Sequence, residues 1–218
     1  MNLYILKIPK EIIWNKLEKY MCYISKERAT KIEKYISNHS KIISLLTEIL
    51  LRHCLTCFHR VKIGDIEFIY NENQKPSIIS KENLYFSISH SCSIIGVAVN
   101  DRPIGLDLEV ERVINLDIAK EFYSSEECRQ IFKRGNNNIY RDFFKVWTQK
   151  ESRLKLFGDS FLSLMEKTPR SKCITQTVCC NIDTDDVIIS TSSNVTNLNI
   201  KIWELDFEKI LGDLENTR

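Results

Sequence analysis

The sequence predicts an α+β fold of two similar halves, in each of which helices pack on a small antiparallel sheet. The first observation is size, because 218 residues with 43% apolar content can form one large core or two small packed ones. The second is order, because helical spacing followed by strand-like runs occurs once in each half of the chain. The third is that no long flexible linker separates these segments. We expect the two halves to be residues 1–102 and 103–218.

The first half opens with a strand-like run and continues with helical patterns. The run is "LYILKI", residues 3–8, and helical spacing follows at 10–22, at 26–36 and from about 40 to 58. Strand-like runs come next at 66–70, 84–89, 94–99 and 104–110. The turn "NDRP", residues 100–103, separates the last two, since Asn, Asp and Pro together favour turn geometry.

The second half repeats the order of helices and then strands. Helical spacing at 115–134 and 139–157 precedes strand-like runs at 172–180, 185–190 and 198–205. The second helical pattern ends at Gly158, a typical helix C-cap, and its apolar stripe consists of Phe143, Phe144, Trp147 and Leu154. The segments "KRGNNN" and "STSSNVTN" have the composition of loops. The tail "DFEKILGDLENTR" looks helical and acidic.

Composition and charge argue against several classes of protein. No stretch approaches the roughly 20 apolar residues of a membrane helix, and the N-terminus lacks a small-residue cleavage site, so we expect a cytoplasmic protein. The formal charge of +2 gives little support to nucleic-acid binding. A local basic cluster, "KERATKIEKY", contains Arg28 and Lys31 and is typical, taken alone, of a solvated helix face.

The eight cysteines are scattered along the chain, so we interpret them as reduced thiols. The segment "HCLTCFH", His53 to His59, resembles a metal knuckle. It lies inside a helical pattern, and no second CxxC completes a zinc site. The sequence therefore favours a buried helical cysteine pair over a metal site here.

Two carboxylates share one face of a predicted strand. In "IGLDLEV", Asp107 and Glu109 alternate with apolar residues, so both point the same way. Side chains two apart on a strand are about 7 Å apart, and their repulsion at an effective dielectric near 20 is roughly 2 kcal/mol. A cation between them would reverse that cost, and Gly105 on the same face leaves room for a close approach to the backbone. The alternative is that this face is simply exposed to water.

A third carboxylate lies on the margin of an apolar helix face. Glu151 and Lys155 follow Trp147 at helical spacing, so they are either a surface i,i+4 pair or part of a site. A metal shared with Asp107 and Glu109 would explain all three carboxylates, and oxygen-only ligands suit Mg²⁺, which usually meets a substrate phosphate. This indicates phosphoryl-type chemistry, and no GxSxG, P-loop or GxGxxG motif offers another kind.

The order of these motifs resembles that of the 4′-phosphopantetheinyl transferases. The segment "IGLDLE" is similar to the family's (V/I)G(V/I)D element, and "WTQKESRLKLFG" is similar to its WxxKE(A/S)xxK element. Ser89-His90-Ser91 resembles the SHS element, and Lys75-Pro76 resembles the KP element. The resemblance runs from about residue 20 to 205 and fits the larger, pseudo-dimeric class that serves surfactin synthetase and other carrier-protein systems.

The resemblance implies transfer of the phosphopantetheine arm of coenzyme A to a serine of an acyl or peptidyl carrier protein, releasing adenosine 3′,5′-bisphosphate. The carrier domains would belong to nonribosomal peptide, polyketide or fatty-acid synthases, and the enzyme would be a monomer that binds neither nucleic acid nor membrane. By position, Asp107, Glu109 and Glu151 would hold Mg²⁺, while Glu151 would also be the base for the carrier serine. Lys155 would neutralise pyrophosphate charge. The implied coenzyme A contacts are Arg28, Lys31, Lys75, Pro76, Ser89 and His90.

Some positions depart from the family pattern. Ile43 stands where relatives often carry an arginine, Asp159-Ser160 follows Gly158 where a second glycine is usual, and the tail is helical where relatives tend to add an apolar strand. Alternatives are therefore a catalytically impaired coenzyme A or carrier-binding protein and an unrelated metal-dependent phosphohydrolase. Ile118, Phe122 and Tyr123 are candidates for carrier docking and are equally typical of a core.

Overall fold

The computed structural model describes residues 1–73, 75–79, 84–160, 172–195 and 199–216 and has the predicted α+β composition. The α-helices are α1 (Trp14–Leu17), α2 (Lys26–Glu33), α3 (Asn38–His53), α4 (Ile118–Phe122), α5 (Ser125–Ile131), α6 (Ile139–Phe157) and α7 (Phe207–Glu215). The strands are β1 (Asn2–Lys7), β2 (Phe68–Tyr70), β3 (Pro76–Ile78), β4 (Tyr85–Ser91), β5 (Ile94–Asn100), β6 (Ile104–Val110), β7 (Ile174–Ile182), β8 (Asp185–Ser193) and β9 (Lys201–Leu205). No helix in the described part of the chain is long and apolar enough to cross a membrane.

The strands of the two halves pair in the same order. In the first sheet β1 pairs antiparallel with β5, which pairs antiparallel with β4. In the second sheet β6 pairs antiparallel with β8, which pairs antiparallel with β7. In both halves a first strand precedes the helices and the later two strands return beside it, which is the arrangement expected of a pseudo-dimer.

The tail of the chain packs on the first half. Strand β9 pairs parallel with β1, with Asn2 opposite Lys201. The amphipathic helix α7 then buries Phe207, Ile210, Leu211 and Leu214 in the core that the apolar stripe of α3 also enters. The predicted helix in the tail is confirmed. The division at residue 102 stays a prediction, and the last strand and helix lie on the first half although they follow the second in sequence.

The two halves meet along β4 and β6, which are joined by serine side chains. The hydroxyls of Ser87, Ser89 and Ser91 accept hydrogen bonds from the backbone N–H groups of three alternate residues of β6. The amide of Leu106 lies 2.9 Å from Ser87 Oγ, that of Leu108 lies 3.3 Å from Ser89 Oγ, and that of Val110 lies 3.1 Å from Ser91 Oγ. Buried amides on a strand edge require partners, so alternating serines join the sheets where backbone pairing ends.

Helix α6 lies directly on β6. A side-chain carbon at Gly105 would lie 1.8 Å from the carbonyl oxygen of Ser152 and 2.5 Å from the amide nitrogen of Leu156. The space that Gly105 leaves is therefore filled by this helix. The predicted C-cap is confirmed, because Gly158 has a left-handed conformation with φ of 71°.

The buried face of α6 is more polar than its apolar periodicity predicts. Phe143 and Phe144 are buried as predicted, whereas Trp147 and Leu154 are only partly buried. Thr148 and Ser152 are instead fully buried and form 2.8 Å hydroxyl pairs with Ser190 and Ser192 of β8. Each hydroxyl satisfies the other, so small polar residues allow close packing of helix and sheet without unpaired groups.

Three predicted boundaries change in the structure. The helical pattern at 10–22 becomes α1 followed by a 3₁₀ helix, Glu18–Tyr23, and the one at 115–134 is divided into α4 and α5 by the capping box of Ser124 and Glu127. The predicted loop at 190–197 is wrong for residues 190–193, which continue β8 because both neighbouring strands pair with them. Residues 196–198 lie outside the described residues. The short strand β3 is not predicted.

Candidate active site

One cavity of about 690 Å³ brings together side chains from both halves. Helices α2 and α3 and strand β4 form one wall, and β6 with α6, which Ser89 of β4 contacts, form the other. Eight of the predicted site residues line it, namely Arg28, Lys31, Ser89, His90, Asp107, Glu109, Glu151 and Lys155. Residues separated by more than 120 positions in sequence therefore face the same space.

Asp107 is the most deeply buried carboxylate of the cavity. Its Oδ1 accepts hydrogen bonds from Ser89 Oγ at 2.8 Å and from Lys155 Nζ at 2.7 Å. Its Oδ2 is buried and has no hydrogen-bond partner among the described residues. Burial raises the pKa of Asp107, while Lys155 and Ser89 act in the opposite direction. A buried oxygen without a donor is a position where a cation would be favourable.

Glu109 is held by two residues that the sequence analysis did not select. Its Oε2 accepts a short hydrogen bond from Ser91 Oγ and a second one, at 2.7 Å, from the guanidinium of Arg112. Arg112 also lines the cavity and stacks over the ring of Phe144 at 4.9 Å. Both residues could have been selected from the sequence. Ser91 continues the alternating serines of "FSISHS", and Arg112 follows Glu109 by three residues.

Glu151 and Lys155 lie one turn apart on α6 and both face the cavity. Lys155 Nζ is 3.8 Å from Glu151 Oε2, and their side chains are 30% and 21% exposed, respectively. Burial, followed by the charge of Asp107, raises the pKa of Glu151 to about 7. Glu151 and Lys155 are therefore not an exposed surface pair, since both line the cavity and Lys155 lies between two carboxylates.

The donor set fits a hard divalent cation. All three carboxylates offer oxygen, and the unpartnered Oδ2 of Asp107 is an acceptor without a donor. The ligand oxygens of these three carboxylates are not all within 4.8 Å of one another. In the described part of the chain, a different group of potential metal ligands does meet that distance. Mg²⁺ normally uses one or two carboxylates and completes its shell with water and substrate phosphates, so a wider spacing remains compatible.

Ser89 and His90 have different surroundings although they are neighbours. Ser89 is buried, and its hydroxyl contacts Asp107, Lys155 and the amide of Leu108. His90 points into the cavity and remains exposed. Desolvation by surrounding atoms and the charge of Lys155 lower its pKa. Ser89 thus positions the carboxylate wall, whereas His90 is open to a ligand.

The basic cluster of α2 faces the same cavity. Arg28 is partly buried, with Nε 3.4 Å from the buried Glu48 and a guanidinium nitrogen 3.4 Å from Ser44 Oγ. Lys31 is exposed at the cavity rim, and Ile43 is buried in its lining. Arg28 is not part of a solvated face, because Glu48 holds it against α3.

Lys75 and Pro76 border an adjoining cavity of about 300 Å³ that shares Ile88, Glu151 and Lys155 with the larger one. Lys75 Nζ donates to the carbonyl of Leu156 at 3.1 Å, at the C-terminal end of α6. Desolvation lowers the pKa of Lys75. The C-terminus of a helix attracts cations, so Lys75 also fixes the helix that carries Glu151.

Asn73, beside Lys75, donates to the carbonyl of Gly158 at 2.8 Å. The Asp159-Ser160 segment follows directly, and Asp159 lines the smaller cavity.

The three candidates for carrier docking separate into core and surface. Phe122 and Tyr123 are buried with the aromatic residues of α6, and the hydroxyl of Tyr123 donates to the carbonyl of Phe143 at 2.9 Å. Ile118 is exposed. Phe122 and Tyr123 are therefore core residues, and only Ile118 of the three candidates is on the surface.

Comparisons with known proteins agree with the geometry. A family model described as the 4′-phosphopantetheinyl transferase superfamily matches residues 103–194, which include the carboxylates and α6. The chain is 28% identical over 158 residues to 4′-phosphopantetheinyl transferase Sfp of Bacillus subtilis, covering 72% of this chain and 70% of the relative. It is 30% identical over 172 residues to 4′-phosphopantetheinyl transferase gsp of Aneurinibacillus migulanus, covering 79% and 72%. HetI of Nostoc, also named a 4′-phosphopantetheinyl transferase, is 32% identical over 123 residues, covering 54% and 52%. With this cavity and these relatives, the chain belongs to the 4′-phosphopantetheinyl transferase superfamily, in its Sfp-like class.

Proposed function

We propose that this chain transfers the 4′-phosphopantetheine arm of coenzyme A to a serine hydroxyl of an apo carrier protein. The observation that carries the proposal is a single cavity lined by three carboxylates and by basic side chains from both halves. A pyrophosphate ester carries several negative charges and is already activated for displacement, so its transfer needs charge neutralisation and alignment more than a covalent intermediate. The family supplies the identity of the substrate.

Coenzyme A would lie across the junction of the halves. Arg28 and Lys31, which line the cavity, would contact its 3′-phosphate, and His90 would contact another of its phosphates. Lys75 and Pro76 border the smaller cavity, which would take the adenosine portion. Ser89 is the exception among the predicted contacts, because its side chain is buried and its hydroxyl donates to Asp107. Its role would be to orient Asp107.

Asp107, Glu109 and Glu151 would hold Mg²⁺, which when bound neutralises pyrophosphate charge as a Lewis acid. Lys155 now pairs with Asp107, and Arg112 with Glu109. With substrate present, both cations can turn toward phosphate oxygens, because each remains partly exposed to the cavity.

Glu151 is the candidate base. With a pKa raised to about 7, the metal-free carboxyl can accept a proton near neutral pH. The serine oxygen forms a bond to the phosphorus next to the pantetheine arm, and the bond from that phosphorus to the bridging oxygen breaks. Adenosine 3′,5′-bisphosphate leaves with the electron pair, and the serine proton passes to Glu151 directly or through water.

The partners would be carrier domains of nonribosomal peptide, polyketide or fatty-acid synthases. A monomer would suffice, because one chain supplies both walls of the cavity.

The decisive experiment weighs an apo carrier protein after incubation with the enzyme, coenzyme A and Mg²⁺. The carrier should gain the mass of one phosphopantetheine arm. A carrier whose acceptor serine is alanine and the enzyme variant Glu151→Gln are the matched controls, and neither should show the gain. Coenzyme A binding without transfer would support a binding protein instead, and cleavage of coenzyme A without a carrier would support a phosphohydrolase.

A further inference from the structure

A second group of potential metal ligands lies outside the active-site cavity, where the tail helix packs on the first half. His53 is the last residue of α3, Cys57 lies in the π-helical turn Cys54–Phe58 that continues it, and Asp213 lies on α7. One ligand atom from each residue lies within 4.8 Å of the others. We propose that His53, Cys57 and Asp213 form a Zn²⁺ site that fastens the C-terminal helix to α3.

The distances suit tetrahedral zinc. Bonds of about 2.3 Å to sulfur and about 2.0 Å to nitrogen at tetrahedral angles separate the two ligand atoms by about 3.6 Å. The Sγ of Cys57 is 3.7 Å from Nδ1 of His53. The sulfur and the nitrogen therefore need little movement to meet a common ion, and a carboxylate oxygen of Asp213 lies within 4.8 Å of both residues' ligand atoms.

The chemical types of the ligands distinguish this site from the one in the cavity. Thiolate, imidazole and carboxylate together are typical of zinc, whereas the oxygen-only cavity suits Mg²⁺. Three protein ligands leave the fourth tetrahedral position for water, and Cys57 is exposed, so solvent reaches the site. Burial lowers the pKa of His53. The charge of Asp213 raises this pKa, whereas the positive charge of Lys209, also on α7, lowers it.

The backbone at this point is unusual. The π-helical turn changes the spacing of side chains at the end of α3, and such turns occur frequently at functional sites. It leaves Cys54 fully buried and Cys57 exposed beside His53. The predicted buried cysteine pair is therefore wrong for Cys57. The missing ligand of the "HCLTCFH" segment comes from Asp213, far along the chain, and not from a second CxxC.

The site would stabilise the fold rather than take part in transfer. Helix α7 contributes four apolar side chains to the first core, and a metal bound also by α3 would hold it there. Because zinc would bind the folded arrangement more tightly than the unfolded chain, it should raise the midpoint of thermal unfolding.

The test titrates the full-length, chelator-treated protein with Zn²⁺ against a chromogenic zinc indicator and repeats it with Co²⁺ to detect a thiolate-to-cobalt absorption band. Cys57→Ser and Asp213→Asn should each weaken zinc binding by about 100-fold or more, since even outer-shell changes cost about 10- to 100-fold, and Cys57→Ser should abolish the band. Cys179→Ser, another exposed cysteine, should leave both signals unchanged. Asp107→Asn should leave the cobalt band unchanged, which separates this thiolate site from the oxygen-only cavity.

Zinc should also raise the unfolding midpoint of the unmodified protein and of Cys179→Ser but not of Cys57→Ser. Equal zinc affinity in the unmodified protein and Cys57→Ser, or no zinc binding by the unmodified protein, would overturn the proposal. Either result would leave Cys57 and His53 as a hydrogen-bonded pair beside Asp213.

Discussion

The ammonium of Lys155 lies 2.7 Å from Oδ1 of Asp107, while the other oxygen of the same carboxylate has no hydrogen-bond partner among the described residues. The cation thus compensates one oxygen of a buried carboxylate and leaves the other oxygen buried without a donor. We expect Asp107 to contribute little to metal-free stability, because the benefit of its ion pair is offset by its desolvation. Its arrangement is better suited to binding a cation than to holding the fold together.

Asp107→Asn should therefore remove transfer without unfolding the protein. We expect the free energy of unfolding without metal to change by less than about 1 kcal/mol, because the amide retains a hydrogen bond from Ser89 while the buried charge is removed. Turnover should fall about 100-fold or more, since metal-based stabilisation is worth several kcal/mol. Urea denaturation and the carrier mass assay measure the two effects. Asp117→Asn, a change at an exposed carboxylate, is the control, and normal turnover of Asp107→Asn would contradict the metal assignment.

The metal-free protein should lose stability as the pH rises toward neutrality. The pKa of Glu151 is raised to about 7 in the folded protein from an ordinary value of 4.5, so the folded state binds a proton more readily between these values. Stability due to this group is present below about pH 4.5, falls up to about pH 7 and is constant above it. Urea denaturation in the presence of chelator, between about pH 5 and pH 8, measures this dependence.

Glu151→Gln is the matched comparison for this pH dependence. It should lose less stability than the unmodified protein over the same range, although Asp107, whose pKa is also raised, retains part of the slope. Comparing the two proteins isolates the contribution of Glu151, because the rest of the sequence is the same in both. Parallel curves would show that burial does not raise the pKa of Glu151.

Arg28→Ala should weaken coenzyme A binding more than it slows transfer. Loss of one charge-assisted contact to a phosphate predicts an increase in KM of about 10-fold with a smaller change in kcat. Glu48 keeps its ion pair with Arg52 and its hydrogen bonds from Ser25, so the fold should tolerate the change. Steady-state kinetics with coenzyme A measure the effect, and Lys34→Ala, an exposed residue outside the cavity lining, is the control.

A second substrate makes the Arg28 prediction specific. With 3′-dephospho-coenzyme A, Arg28→Ala and the unmodified protein should have similar KM values, because the phosphate contact is missing in both. A 10-fold difference that persists with this substrate would place Arg28 against another part of coenzyme A.

Most residues that line the cavity could be selected from sequence because they interrupt regular patterns. Asp107 and Glu109 break an apolar strand by alternation, and Glu151 with Lys155 continues the spacing of an apolar helix. Those local periods also predict α6 and β6, whose bounds agree with the sequence expectation.

Contacts between distant segments could not be read in this way. The pairing of β9 with β1 and the approach of Asp213 to His53 depend on how the tail returns to the first half, and no local period encodes that path. Arg112 was missed for a related reason, because a charged residue after a strand is common and only its position beside Glu109 makes it part of the site.

Gly105→Ala should disturb both the fold and the active site, because the added carbon would lie 1.8 Å from the carbonyl oxygen of Ser152. The contact is with backbone, so no side-chain rotation relieves it, and α6 must move away from β6. We expect a loss of more than about 3 kcal/mol in the free energy of unfolding, at or beyond the upper end for overpacking. The same movement would displace Glu151 and Lys155 from Asp107, so any folded fraction should also transfer slowly. Thermal unfolding and the carrier mass assay on Gly105→Ala and Gly64→Ala form a matched pair, since a carbon added at Gly64 meets nothing within 4 Å. If Gly105→Ala were as stable and active as Gly64→Ala, helix α6 would not be seated directly on β6, and the geometry proposed for the catalytic wall would be wrong.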